Sequence, residues 1–148
     1  PFSSEEARTD KGIQPTCKTA RLSFPLAVQV EMKPEDISPD FAEWPERWMY
    51  VEEDVNYGKG LLLPMHGFVV HLISKGLTRK TIRRHMDNLW LLGGEIIRHV
   101  HSGREYNIPP INKLKEAIGS DGGPYCRHID SEAALSSFDS TCRKLHRF

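Results

Sequence analysis

FVVHLISKGLTRKTIRRHMDNLWLL, residues 68–92, holds the ends of two apolar helical patterns and the turn that joins them. Upstream of the turn, Leu62, Met65, Val69, Leu72 and Ile73 recur at steps of three and four, which is one face of a helix beginning near Leu61. Gly76 is the residue type that ends a helix, because it accepts a left-handed backbone at no steric cost. Thr78 is a good N-cap for the next one. Downstream, Ile82, Met86, Leu89, Gly93, Ile96, Ile97 and Val100 lie on one stripe over about five turns. Gly93 and Gly94 each cost roughly 1 kcal/mol relative to Ala in a helix interior, so a neighbouring backbone is expected to cross closely there.

The patterns further out complete a small bundle. INKLKEAIG, residues 111–119, predicts a short third helix entered through Pro109-Pro110 and stopped at Gly119. DSEAALSSFDSTCRKLHRF, residues 130–148, predicts a fourth, capped by Asp130 or Ser131, with Leu135, Phe138, Cys142 and Leu145 as its core stripe. Toward the start, residues 1–16 are polar and aperiodic and read as a mobile arm. In LSFPLAVQV, residues 22–30, strict alternation predicts a half-buried edge strand, with Pro25 on the outer side. Its partner would be Tyr106–Ile108 or Pro124–Ile129. KPEDISPDFAEWPERW, residues 33–48, predicts an acidic wrapping loop with one short helical turn, anchored by Phe41, Trp44 and Trp48. The expected fold is mainly α: a small four-helix bundle over 59–148, with an extended, acidic segment over 1–58 packed on it.

Composition narrows the chemistry. The chain of 148 residues is long enough for one domain with a substantial core. Its apolar runs are too short to cross a bilayer, and no basic-then-apolar signal segment opens it. Cys17, Cys126 and Cys142 are odd in number and widely spaced, which predicts reduced thiols and a cytoplasmic protein. The first residue is not Met and the last helical pattern runs to Phe148 without a stop, so a somewhat longer native chain is expected. Seven histidines raise the question of a metal, but His99 and His101 sit about 200° apart on a helix, and His66 and His71 also diverge. There is no glycine-rich phosphate loop, no nucleophile elbow and no thiol in an activating context. No catalytic residue, metal or cofactor is expected.

Charge is distributed unevenly. Nine acids face two cations, Lys33 and Arg47, between Glu31 and Asp54, whereas from Val55 onward fourteen Lys and Arg face eight acids. The densest cluster is the turn itself, with Lys75, Arg79, Lys80, Arg83 and Arg84 and no acid among them. Taking Ile82 as the centre of the buried stripe, Lys80, Arg83 and Arg84 face solvent and Arg79 borders the core. Cations at a helix start oppose the helix dipole, a cost that makes sense where an anion binds. The competing possibility is that acids of the Glu31–Asp54 segment neutralise the cluster within the fold.

In Phe68, Leu72, Gly76, Leu77, Thr78, Thr81, Ile82 and Leu89, the stretch resembles the N-terminal core-binding (SAM-like) domain of tyrosine recombinases, the phage-integrase family. That family's pattern is an apolar helix, Gly-Leu-Ser/Thr, a short turn and an amphipathic helix. The resemblance is close over about a sixth of the chain. It implies a duplex-DNA clamp whose basic turn contacts phosphates, here Lys75, Thr78, Arg79, Lys80, Arg83 and Arg84. The family's catalytic domain, with an Arg, a His-x-x-Arg and a Tyr nucleophile, has no room in the rest of this chain. His101-Ser-Gly-Arg104 spells His-x-x-Arg with Tyr106 nearby, but it lies inside the expected binding domain and reads as coincidence. The expectation is a non-enzymatic DNA-binding domain related to mobile elements; a complete recombinase would require a chain continuing well past Phe148. The alternative is a protein-interaction module that uses the acidic segment and the basic turn.

Overall fold

In the computed structural model, residues 32–148 are described, and Lys33–Phe148 forms one unit. Among the described residues six α-helices follow one another: α1 Pro34–Ile37, α2 Trp44–Trp48 entered through a 3-10 turn at Phe41–Glu43, α3 Glu53–Ser74, α4 Arg79–Gly103, α5 Pro110–Ala117 and α6 Glu132–Arg147. The four expected helices are α3 to α6. The Lys33–Trp48 segment is more helical than its prolines suggest, because Pro34 and Pro45 each stand in a first turn, where the missing N–H has no helical partner to lose.

α3 begins at Glu53, well before Leu61, so the expected 58/59 boundary falls inside it. Glu53 and Asp54 complement the positive end of its dipole. Asp54 also turns its carboxylate back to accept the backbone N–H groups of Tyr50 at 2.8 Å and Val51 at 3.0 Å. The two glycines that hid this start from periodicity admit neighbours. A Cβ on Gly58 would stand 3.0 Å from Pro45 of α2, and one on Gly60 would stand 2.6 Å from Pro110 of α5. With the longer helix the buried stripe runs through Tyr57, Leu61, Met65, Phe68, Val69 and Leu72, while Leu62 and Ile73 border it.

The turn after α3 behaves as its residue types require. Gly76 takes φ +79° and its N–H is donated to Ile73 O at 3.0 Å. Thr78 caps α4, its Oγ1 accepting Thr81 N–H at 3.1 Å. Ile82, Met86, Leu89, Leu92, Ile96, Ile97 and Val100 of α4 are buried against α3 and α6. The close approach at Gly93 comes from a side chain instead of a crossing backbone. A Cβ there would collide with the indole of Trp48, whose Nε1–H is donated to Trp90 O at 3.1 Å. Phe41, Trp44 and Trp48 are all buried, and Trp44 and Trp48 pack against Trp90 at ring separations of 5.6 and 5.9 Å.

α6 is capped by Ser131, whose Oγ accepts Ala134 N–H at 3.1 Å. Phe138, Cys142 and Leu145 form its buried stripe, but Leu135 is 43% exposed. Leu135 lies in the first turn, where α6 has not yet reached the core. α6 runs antiparallel to α4, as the pairing of His85 with Thr141 and of Asn88 with Ser137 requires. The expected strand at 22–30 lies outside the described residues. Neither of its expected partners is a strand: Tyr106 and Ile108 are instead bonded to α3 through Asp54 Oδ1 and the Tyr57 hydroxyl. The isolated bridge between Gly119 and Gly122 is the only β pairing among the described residues.

Candidate nucleic-acid interface

Three helix ends meet at one end of the bundle: the last turn of α3, the first turns of α4 and, because α6 is antiparallel to α4, the last turn of α6. The basic turn divides into two sets there. Arg79 donates to Asp36 O at 2.5 Å, and Arg83 donates to Ile37 O at 3.1 Å while lying 3.3 Å from Asp87. Those carbonyls belong to the last turn of α1, which leaves acceptors without helical partners, so the two guanidinium groups cap it. Thr78 is likewise spent on its own helix, as the N-cap, and its hydroxyl reaches Thr81 Oγ1 at 3.0 Å.

Lys75, Lys80 and Arg84 form the other set. All three are exposed, and none has an ion pair among the described residues. The described acids of the 31–54 segment are engaged elsewhere or face solvent. Asp40 and Glu43 pair with Arg47 at 3.7 and 3.1 Å, Glu35 lies 3.8 Å from His66, and Asp36 accepts Lys33 N–H at 2.8 Å. Among the described residues, the hydrogen bonds from the basic turn to that segment end on its backbone carbonyls.

α6 adds cations that sequence order keeps more than fifty residues away. Lys144 and Arg147 line a groove of about 440 Å³ together with Lys75 and His71, and Phe68, Leu72, Leu77 and Phe148 supply its apolar wall. The signal was present in RKLHRF, residues 143–148, but its proximity to the turn depends on the direction of α6. His85 reports the same convergence. Burial of its ring pushes its pKa down to about 4, and the charges of Arg84 and Lys144 act in the same direction. It is held by Thr141, with Nδ1 and Oγ1 2.7 Å apart.

The other candidate groups serve the fold. His99 lies 3.4 Å from Glu95, a buried carboxylate also bonded to Arg98, and His101 stacks on Tyr50 at 4.9 Å, so the two histidines diverge. No group of three potential metal ligands gathers among the described residues. Tyr106 donates to Asp54 Oδ1 at 2.6 Å, and that hydrogen bond raises the phenol pKa to about 12, away from phenolate formation. Arg104 is exposed and forms the left-handed cap of α4 at φ 51°. Burial pushes the Cys142 thiol up to about 12, which disfavours a nucleophilic thiolate. Among the described residues no helix is long and apolar enough to cross a membrane. No protein-family model, curated protein or solved structure matches the chain.

Proposed function

We propose that this chain is a non-enzymatic DNA-binding domain that holds phosphates of a duplex on the end of the bundle built from the α3–α4 turn and the last turn of α6. The observation that carries the reading is the set of exposed cations at this end, without an ion pair among the described residues: Lys75 shares one groove with Lys144 and Arg147, and Lys80 and Arg84 stand on the first two turns of α4. Unpaired, clustered cations are the electrostatic footprint of a polyanion site. The first turn of α4 contains no acid and adds its free N–H groups to the same field. Arg79 and Arg83, tied to α1, act chiefly by fixing that surface. The resemblance of Phe68–Leu92 to the recombinase core-binding domain points to the same turn.

The test is a salt titration of duplex DNA by fluorescence anisotropy. With three or four phosphates neutralised, log K falls against log[salt] with a slope near −3 to −4, from about −0.9 per contact. Replacing Lys75, Lys80 and Arg84 together by Ala flattens the slope by roughly 2 to 3, with unchanged circular dichroism. Absence of binding at low salt, or an unchanged slope in the variant, overturns the proposal.

The second reading, a protein-interaction module, is favoured by one patch. Met49, Tyr50 and Val51 are 47%, 53% and 40% exposed in succession and adjoin the exposed Glu52 and Glu53. That patch is formed before α3, whereas the basic turn follows it, so its loss leaves the salt slope for DNA untouched.

A further inference from the structure

The groove at the basic end contains more apolar surface than a phosphate site needs. Phe68 and Leu72 close it at 1% and 4% exposure, while Phe148 stands 57% exposed beside them. The Phe148 ring lies 5.7 Å from Phe68 and 5.1 Å from His71, so it is braced on two sides with much of its surface still open. Lys75, Lys144 and Arg147 are exposed on the same groove. An aromatic wall with cations around it matches a flat apolar body joined to an anion. At about 440 Å³, the groove falls in the size range of small-ligand pockets, about 300–1,000 Å³.

Within nucleic acid, that combination is one unpaired nucleotide. Bases inside a duplex are stacked on each other and offer no free face, whereas an unpaired base can lie on an aromatic ring while its phosphates meet Lys and Arg. We infer that the groove takes a single unpaired base at the end of a duplex, with Phe148 as its stacking surface and Lys75, Lys144 and Arg147 on the flanking phosphates. The inference rests on the DNA-binding reading and refines it: the preferred partner is a duplex with a single-stranded overhang.

The experiment compares blunt duplex, the same duplex with a short single-stranded overhang, a nucleoside monophosphate and an acidic amphipathic peptide, at one salt concentration. Wild-type protein binds the overhang DNA roughly tenfold more tightly than blunt duplex, within the range of one base–aromatic stack. Phe148→Ala abolishes that preference, bringing overhang affinity down to that of blunt duplex, whereas Phe148→Trp, with a larger ring, retains it. Equal affinity for blunt and overhang DNA overturns the inference while the duplex reading stands; no binding to either ends both. A Phe148→Trp variant without the preference also overturns it, even if Phe148→Ala proves unstable. Monophosphate binding as tight as that of the overhang DNA would make the groove a free-nucleotide site. Tighter peptide binding that depends on Phe148 would give it to a protein partner, and either result overturns the inference.

Discussion

The two ends of the bundle treat charge in opposite ways. At the end where α3 begins and α4 finishes, the buried polar groups are matched within the fold. Asp54 is fully buried and accepts from Tyr106 and from two backbone N–H groups, and Lys113 of α5 lies 2.5 Å from Glu105 and 3.5 Å from Glu116. At the other end, Lys75, Lys80, Arg84, Lys144 and Arg147 have no carboxylate partner among the described residues. Buried polar groups must be satisfied or the fold loses free energy, whereas exposed cations cost little to leave unpaired. The matched end therefore carries stability, whereas the other end leaves exposed cations without a carboxylate among the described residues.

The largest effect is expected at the matched end. Asp54→Ala leaves the Tyr106 hydroxyl and the N–H groups of Tyr50 and Val51 without their acceptor. Urea denaturation should show a loss of about 3 kcal/mol, with DNA affinity of the folded protein unaltered. Burial pushes the Asp54 carboxyl up, but the hydrogen bonds from Tyr106, Val51 and Tyr50, with His101 nearby, hold it below its ordinary value. Its stabilisation is therefore present above the unfolded carboxylate pKa and is lost as pH falls through the lower folded value. A stable Asp54→Ala protein would remove the contrast between the two ends.

A somewhat smaller effect arises at the basic end from His85, which is 1% exposed and has its pKa lowered to about 4. Between that value and the ordinary 6.5 the unfolded chain binds a proton that the folded chain refuses, so stability falls as pH drops through this window. The loss from pH 7 to pH 4 is roughly 2–3 kcal/mol by denaturation. Because Arg84 and Lys144 contribute to the shift, DNA bound across them should raise the His85 pKa, measured by NMR titration. No movement on binding would place the DNA elsewhere.

The smallest effect separates neighbouring cations on one helix. Arg79→Ala removes a hydrogen bond to α1 and should cost about 1 kcal/mol, whereas Lys80→Ala should change stability by less than about 0.5 kcal/mol. The salt slope should respond in the reverse order, more to Lys80 than to Arg79. Equal responses in both measurements would dissolve the distinction between bracing and binding cations.

Much of the bundle was legible in local pattern. Thr78 could be read as a cap, and Ser131 as one of two candidates with Asp130, because their hydroxyls act on a residue three positions away, within the same turn of helix. Gly76 could be read as a stop because its demand for positive φ is local. The start of α3 was hidden because Gly58 and Gly60 break the periodicity for the sake of Pro45 and Pro110, one of which is fifty residues further along. Gly93 signalled a close approach, but no local rule could say that the visitor was the Trp48 indole.

The same division applies to the candidate interface. By itself the sequence determined that five cations crowd the α3–α4 turn, that Gly76 and Thr78 end one helix and start the next, and that the α4 stripe from Ile82 to Val100 faces inward, since each follows from neighbours within about one or two turns. Tertiary structure alone decided that Arg79 and Arg83 brace α1 and that Lys144 and Arg147 join Lys75. Those outcomes depend on which elements pack together and in which direction, and a side chain's periodicity is the same whether its charge meets a carbonyl, a carboxylate or water.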